Sequence, residues 1–250
     1  MLKKRIIMTM LWDGTTLVKG QGFDNSRRAG NPIATMQIYN KRDVDEILFL
    51  NISKNKKNEE IDENFFKELT INCNVPITIG GGINSIKDIH CLLNSGADKI
   101  SINSSLYSNI KLLDTAVKTF GSQTIVVSID YDLNLNCYSH SGKIKTKEKV
   151  FEWAKKCEDT GAGEVIVNCI EKDGYMTGYD FKNLELLNNK LNIPIIVSGG
   201  AGKLEDFFKA FTKGASAAAA SSIFHFTSIT PNEIKKYLAY KKINIRKNYK

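Results

Sequence analysis

No stretch of the 250-residue chain is apolar for long enough to cross a bilayer as a helix. The opening MLKKRIIMTML comes nearest, but its apolar run is short and no small-residue cleavage site follows. It reads as a core strand and not as an export signal, so the expected compartment is the cytoplasm, with no membrane partner. Histidine is scarce: His90, His140 and His225 are scattered and form no zinc-type cluster, so neither a metal nor another cofactor is expected. The five cysteines (Cys73, Cys91, Cys137, Cys157, Cys169) contain no CxxC pair. Their odd number argues against a disulfide framework and for reduced thiols. Also missing is a basic stripe with interleaved aromatics. The net charge is +8, but the lysines are spread, gathering mainly at 54–57 and from 235 to 250. That pattern reads as solvated helix faces and a frayed tail, with no nucleic acid partner. A basic surface does suit an anionic substrate.

What is present is alternation. Short β-rich runs lie at 5–11, 46–52, 77–80, 99–103, 124–130, 164–170, 195–198 and 216–221. Most are continuously apolar, as strands buried on both faces are. Amphipathic stretches such as 86–93, 111–120, 150–159 and 204–211 separate them. Eight such units in a chain of this length predict a single-domain (β/α)8 TIM barrel spanning residues 1–250. An open doubly wound sheet is the alternative, and an internal repeat argues against it. NVPITIGGGINSIKDI from Asn74 returns as NIPIIVSGGAGKLEDF from Asn192, an offset of 118 (192 − 74). The same offset carries Gly96-Ala97 onto Gly214-Ala215, Ser104 onto Ser222 and Glu46 onto Glu164. Two like half-barrels make eight strands and set two like sites across one mouth. Residues 131–145 have no counterpart in the first half and read as a polar excursion, a hairpin after the fifth strand. Residues 20–31 (GQGFDNSRRAGN) form a glycine-rich basic loop on the active face, either a cover for a ligand or a plain connection.

The repeat also carries the chemistry. Gly80-Gly81-Gly82 follows the third strand, and Ser198-Gly199-Gly200-Ala201-Gly202 follows the seventh. Glycine admits a phosphate close to the backbone, and free N–H groups point at its oxygens. Each run has a partner on the next strand, Asn103-Ser104 after the fourth and Ser221-Ser222 after the eighth. Two matched pairs imply a ligand phosphorylated at both ends. Asp130 ends the fifth strand, where barrel enzymes keep catalytic groups, and is the candidate general acid or base. Asp173-Gly174, in EKDG after the sixth strand, either contacts the ligand or fixes a turn.

The segments KRII, VKG, DEILFL, GGGI, GADKISIN, FGSQ, VVSID, GAGE, DG with GYD, IPII, SGGAGK and SSIFHF together closely resemble the cyclase subunit of imidazole glycerol phosphate synthase. The resemblance runs from Lys4 to the tail. It implies a glutaminase partner whose ammonia crosses the barrel and attacks a bis-phosphorylated ribulosyl formimino-aminoimidazole. By resemblance Asp130 and Lys19 are catalytic. Phosphate contacts fall on Gly81, Gly82, Asn103, Ser104, Asp173, Gly174, Gly199, Gly200, Ser221 and Ser222. A charged floor ring that passes ammonia falls on Arg5, Glu46, Lys99 and Glu164, and Asp98 lies on the face that meets the glutaminase. The family's first catalytic aspartate should end the first strand, where this chain has Leu11. An alignment gap would move Asp13, in WDGTT, toward that role, but Asp13-Gly14 better matches the turn that follows. Asn51 replaces a second aspartate and cannot act as a base. An intact ammonia path with an altered cyclase centre resembles a paralogous branch found with surface-polysaccharide genes. That branch implies a delivery subunit working with a separate sugar amidotransferase toward acetamidino sugars. A genuine cyclase, a lyase of histidine biosynthesis, is the alternative.

Overall fold

The computed structural model describes residues 3–24, 27–53 and 61–246. The lysines at 54–57, together with Lys247 and Lys250, lie outside the described residues. Eight parallel strands form the barrel: β1 Arg5–Trp12, β2 Glu46–Asn51, β3 Ile77–Gly80, β4 Lys99–Ile102, β5 Ile125–Tyr131, β6 Glu164–Cys169, β7 Ile195–Ser198 and β8 Ala217–Ala220. Each pairs with the next, and two seams complete the ring. Arg5 pairs with Ala217 across β8 and β1, and Glu164 pairs with Val126 across β5 and β6. The sheet is therefore closed, which removes the open doubly wound alternative.

Side chains alternate along each strand, so one set faces the lumen and the other the helices. Ile7, Leu48, Val126, Ile166, Ile196, Ala217 and Ala219 pack together inside the barrel. A much larger cluster, including Met8, Phe49, Trp153 and Phe207, fills the layer between strands and helices. The outer helices are α1 Pro32–Lys41, α2 Glu63–Ile71, α3 Ile86–Asn94, α4 Lys111–Phe120, α5 Val150–Asp159, α6 Phe181–Lys190, α7 Leu204–Thr212 and α8 Pro231–Tyr240. Local chemistry sets their starts. Asn31 accepts the Ala34 amide ahead of α1, and Thr230 and Glu233 form a capping box ahead of α8.

The 118-residue repeat holds in the details. The Asp88 carboxylate accepts the Asn84 and Ser85 amides, and Asp206 accepts those of Gly202 and Lys203. One-turn helices Ser104–Ser108 and Ser222–Phe226 follow β4 and β8. The two halves differ at the mouth. After β5 the chain turns back as an antiparallel hairpin, Asn136–Ser139 with Ile144–Lys149, as the polar excursion predicted. After β1 two short strands, Leu17–Val18 and Arg28–Gly30, give the 20–31 loop a paired base.

The tail differs from expectation. Residues 235–240 belong to α8, and Lys235 is buried with its ammonium 2.7 Å from Asp45 and 3.3 Å from Asp43. This lysine is a buried ion-pair partner, so that part of the chain is not frayed. Among the described residues no helix is long and apolar enough to cross a membrane, and no metal-binding cluster is present.

Candidate functional site

The C-terminal strand ends surround a cavity of about 670 Å³. Its wall includes Gly81 and Gly82, Asn103 and Ser104, Gly199 and Gly200, Ser221 and Ser222, with Asp130, Lys19 and Leu11. The structure thus brings both glycine loops and their partner serines to one mouth. The glycines are required by geometry. Gly200 has φ +116, and a Cβ there would lie 2.3 Å from the Gly178 carbonyl. Gly81 has φ +98, and its Cβ would lie 2.0 Å from the Asn51 carbonyl. Ser221 and Ser222 hydroxyls are buried without a partner among the described residues. Ser104 Oγ instead accepts the His140 amide at 2.8 Å, from the tip of the hairpin.

Asp130 is buried at the end of β5. Asn103 Nδ2 donates to one carboxylate oxygen at 2.8 Å, and Asn168 Nδ2 to the other at 3.4 Å. Burial pushes the carboxyl up to about 7, with the Asp173 charge adding and the two carboxamides opposing. Such a group exchanges protons near neutral pH.

Lys19 and Asp173 form a buried ion pair. Asp173 had been placed among the phosphate contacts. Its carboxylate lines the cavity and pairs with the Lys19 ammonium, giving that buried cation a counter-charge. Gly174 (φ +81) packs where a Cβ would meet the Gly20 carbonyl at 2.0 Å, so the loops after β1 and β6 touch. His225 was unassigned by sequence. Burial and the Lys19 ammonium push its imidazole down to about 4, so it sits neutral beside the pair.

Leu11 lines the cavity, paired in register with Leu50. Trp12, the next residue, points outward and stacks on Phe65 at 4.2 Å. That packing fixes the alternation and leaves Leu11 in the lumen. Asp13 accepts the Thr15 and Thr16 amides at 2.9 Å each and is exposed. It caps a turn and does not line the cavity, so the Asp13 alternative is removed. Asn51 lines the cavity, and its Oδ1 accepts the Ser53 amide at 3.1 Å.

At the opposite end of the lumen, two acids alternate with two bases. Arg5 Nη1 lies 2.8 Å from Glu46 and 3.1 Å from Glu164. Lys99 Nζ lies 3.1 Å from Glu164 and 3.6 Å from Glu46. Asp98 is exposed beside this ring, and its carboxylate accepts the Ile77 amide at 2.8 Å.

Comparison with known proteins gives the same picture. The family described as "Histidine biosynthesis protein" matches residues 7–230. Relatives named imidazole glycerol phosphate synthase subunit HisF cover 98% of this chain and the whole of their own length. Those of Phocaeicola vulgatus and Bacteroides thetaiotaomicron are 43% identical, and that of Hydrogenobaculum sp. is 42% identical. The chain belongs to the HisF family. Within a HisF barrel, two features escaped the sequence reading. Asn168 lay inside an apolar run with no motif around it. The Lys19–Asp173 pair joins residues 154 apart, with no spacing signal to connect them.

Proposed function

We propose that this chain is the cyclase subunit of an imidazole glycerol phosphate synthase, bound to a glutaminase at its floor and to a bis-phosphorylated ligand at its mouth. The observation that carries this reading is the pairing of two like glycine–serine cradles in one cavity, with Asp130 in its wall. In this reading ammonia enters through the ring of Arg5, Glu46, Lys99 and Glu164 and reaches the ligand between its two phosphates. Asp130 then moves the protons that ring closure requires. Lys19, held by Asp173, offsets ligand charge at the mouth. The relatives' names support this reading over its rival.

One observation favours the rival, a delivery subunit that passes ammonia to a separate sugar amidotransferase. Leu11 stands in the lumen where a second proton-transfer group would act, and leucine moves no proton. Ammonia-dependent conversion of the bis-phosphorylated formimino-aminoimidazole by the purified chain decides between them. Turnover supports the cyclase reading. Binding with no turnover transfers the chain to the delivery reading, and absence of binding removes the cyclase reading.

A further inference from the structure

We propose that Asn168 is a positioning residue for Asp130, forming with Asn103 a carboxamide clamp that holds both carboxylate oxygens at the end of β5. The inference rests on the reading of Asp130 as the proton-transfer group. Asn168 is no part of the glycine cradles, the floor ring or the docking face.

The clamp follows from register. Asn168 pairs directly with Asp130 across the β5–β6 seam, and Asn103 follows the last residue of β4 on the other side. Three neighbouring strand ends therefore present carboxamide, carboxylate, carboxamide in a row. The Asn168 amide is oriented by its surroundings. A Cβ at Gly199 would lie 2.7 Å from Asn168 Oδ1, so the glycine loop leaves room for that oxygen and Nδ2 turns toward Asp130. Both amide oxygens, Asn103 Oδ1 and Asn168 Oδ1, are buried with no partner among the described residues. A buried acceptor without a donor costs about 1–3 kcal/mol. Two such costs beside one carboxylate are a poor stability device. They are consistent with a site that trades stability for geometry.

The clamp matters more here because Leu11 offers no second carboxylate. A lone group must take and return the proton, so its orientation and its ionised fraction both limit the rate. Each carboxamide N–H favours the ionised form, and burial opposes it.

The test is a titration of Asp130 by carbon-13 NMR in aspartate-labelled protein, with Asp130→Asn assigning the signal. Asn168→Ala should move the midpoint up by roughly one pH unit, as loss of a charge-stabilising hydrogen bond does. Asn168→Thr, which keeps a donor, should restore most of it. In the ammonia-dependent assay the rising limb of the kcat profile should shift with the midpoint while KM holds. At pH 7 the rate should fall by about five-fold, the ionised fraction dropping from a half to a tenth. Asn168→Leu guards against a cavity effect and should behave as Asn168→Ala. An unmoved midpoint in both variants overturns the clamp. A chain that shows the shift but no turnover keeps the clamp and loses the cyclase reading.

Discussion

Leu11 is where a single side chain decides most. It lies in the lumen on the same mouth as Asp130, and a carboxylate there would be open to the cavity. Its desolvation cost is therefore small compared with a core site. Leu11→Asp should raise ammonia-dependent turnover by about 10²-fold, the usual scale of a restored general acid–base group. A variant that binds ligand as before and gains no rate would show that the missing carboxylate is not what limits this chain. Asp130 makes a second prediction, through stability. Its carboxyl titrates near 7 in the fold and near 3.8 in an ordinary environment. The folded state therefore binds a proton more tightly than the unfolded chain, and stability is lost as pH rises from about 4 to 7. Asp130→Asn removes that loss. Thermal melting should show the variant more stable at pH 8, by about 4 kcal/mol at most, with the gain shrinking toward pH 4.

At the scale of elements, strand ends and glycine loops do the positioning. Gly81 and Gly82 look alike in sequence, but the structure separates them. A Cβ at Gly81 would strike the Asn51 backbone at 2.0 Å, and Gly82 has a φ of +74. Gly82→Ala should cost about 1 kcal/mol through the left-handed backbone. Gly81→Ala should cost several times more and displace the end of β2. Paired thermal melts, with a phosphorus-31 titration of inorganic phosphate, check both. Gly200→Ala should remove the phosphate event of the second half and leave that of the first. Much of this level was legible in the sequence. The strands β3 and β7 begin and end where the apolar runs do, and the other six lie within one residue at each end. Apolar runs bounded by glycine and polar residues mark buried strands well. The hairpin after β5 was legible as a gap in the repeat. What stayed hidden depends on contacts between distant segments. Asn168 looks like an interruption of EVIVNCI, and only its register with Asp130 gives it a role. The ion pair of Asp173 shows only once Lys19 is folded against it. Lys235 looks solvated until α8 places it on Asp45, whereas Lys236, Lys241 and Lys242 are exposed.

At the scale of the molecule, the two ends of the barrel differ in chemistry, a cavity at one and an ion-pair ring at the other. The floor ring is a closed set of four charges, either a gate or a structural plug. Lys99→Ala separates these. A gate predicts that glutamine-dependent turnover in the complex falls while turnover with added ammonium salt persists. A plug predicts that both fall together with the melting temperature, since uncovering Glu46 and Glu164 leaves buried charge poorly paired. Asp98 belongs to the same face. Asp98→Ala should weaken binding of the glutaminase about tenfold, roughly 1.4 kcal/mol. Asp98→Asn, which still accepts the Ile77 amide, reports what part of that loss comes from β3 itself. Unchanged binding in both variants would move the docking surface elsewhere.

The seam between β8 and β1 has a further consequence, in time. β1 leaves the ribosome before the other seven barrel strands, yet one of its neighbours, Ala217–Ala220, is made more than two hundred residues later. The amide of Lys4 waits longer still, for the carbonyl of Asn244. Until then the apolar RIIMTML has an unsatisfied edge, and long-range parallel pairing of this kind closes slowly. From the synthesis of β1 to that of β8 the nascent chain therefore carries one open strand edge. Chains cut short before residue 217 should aggregate, although most of their own helices and strands are complete.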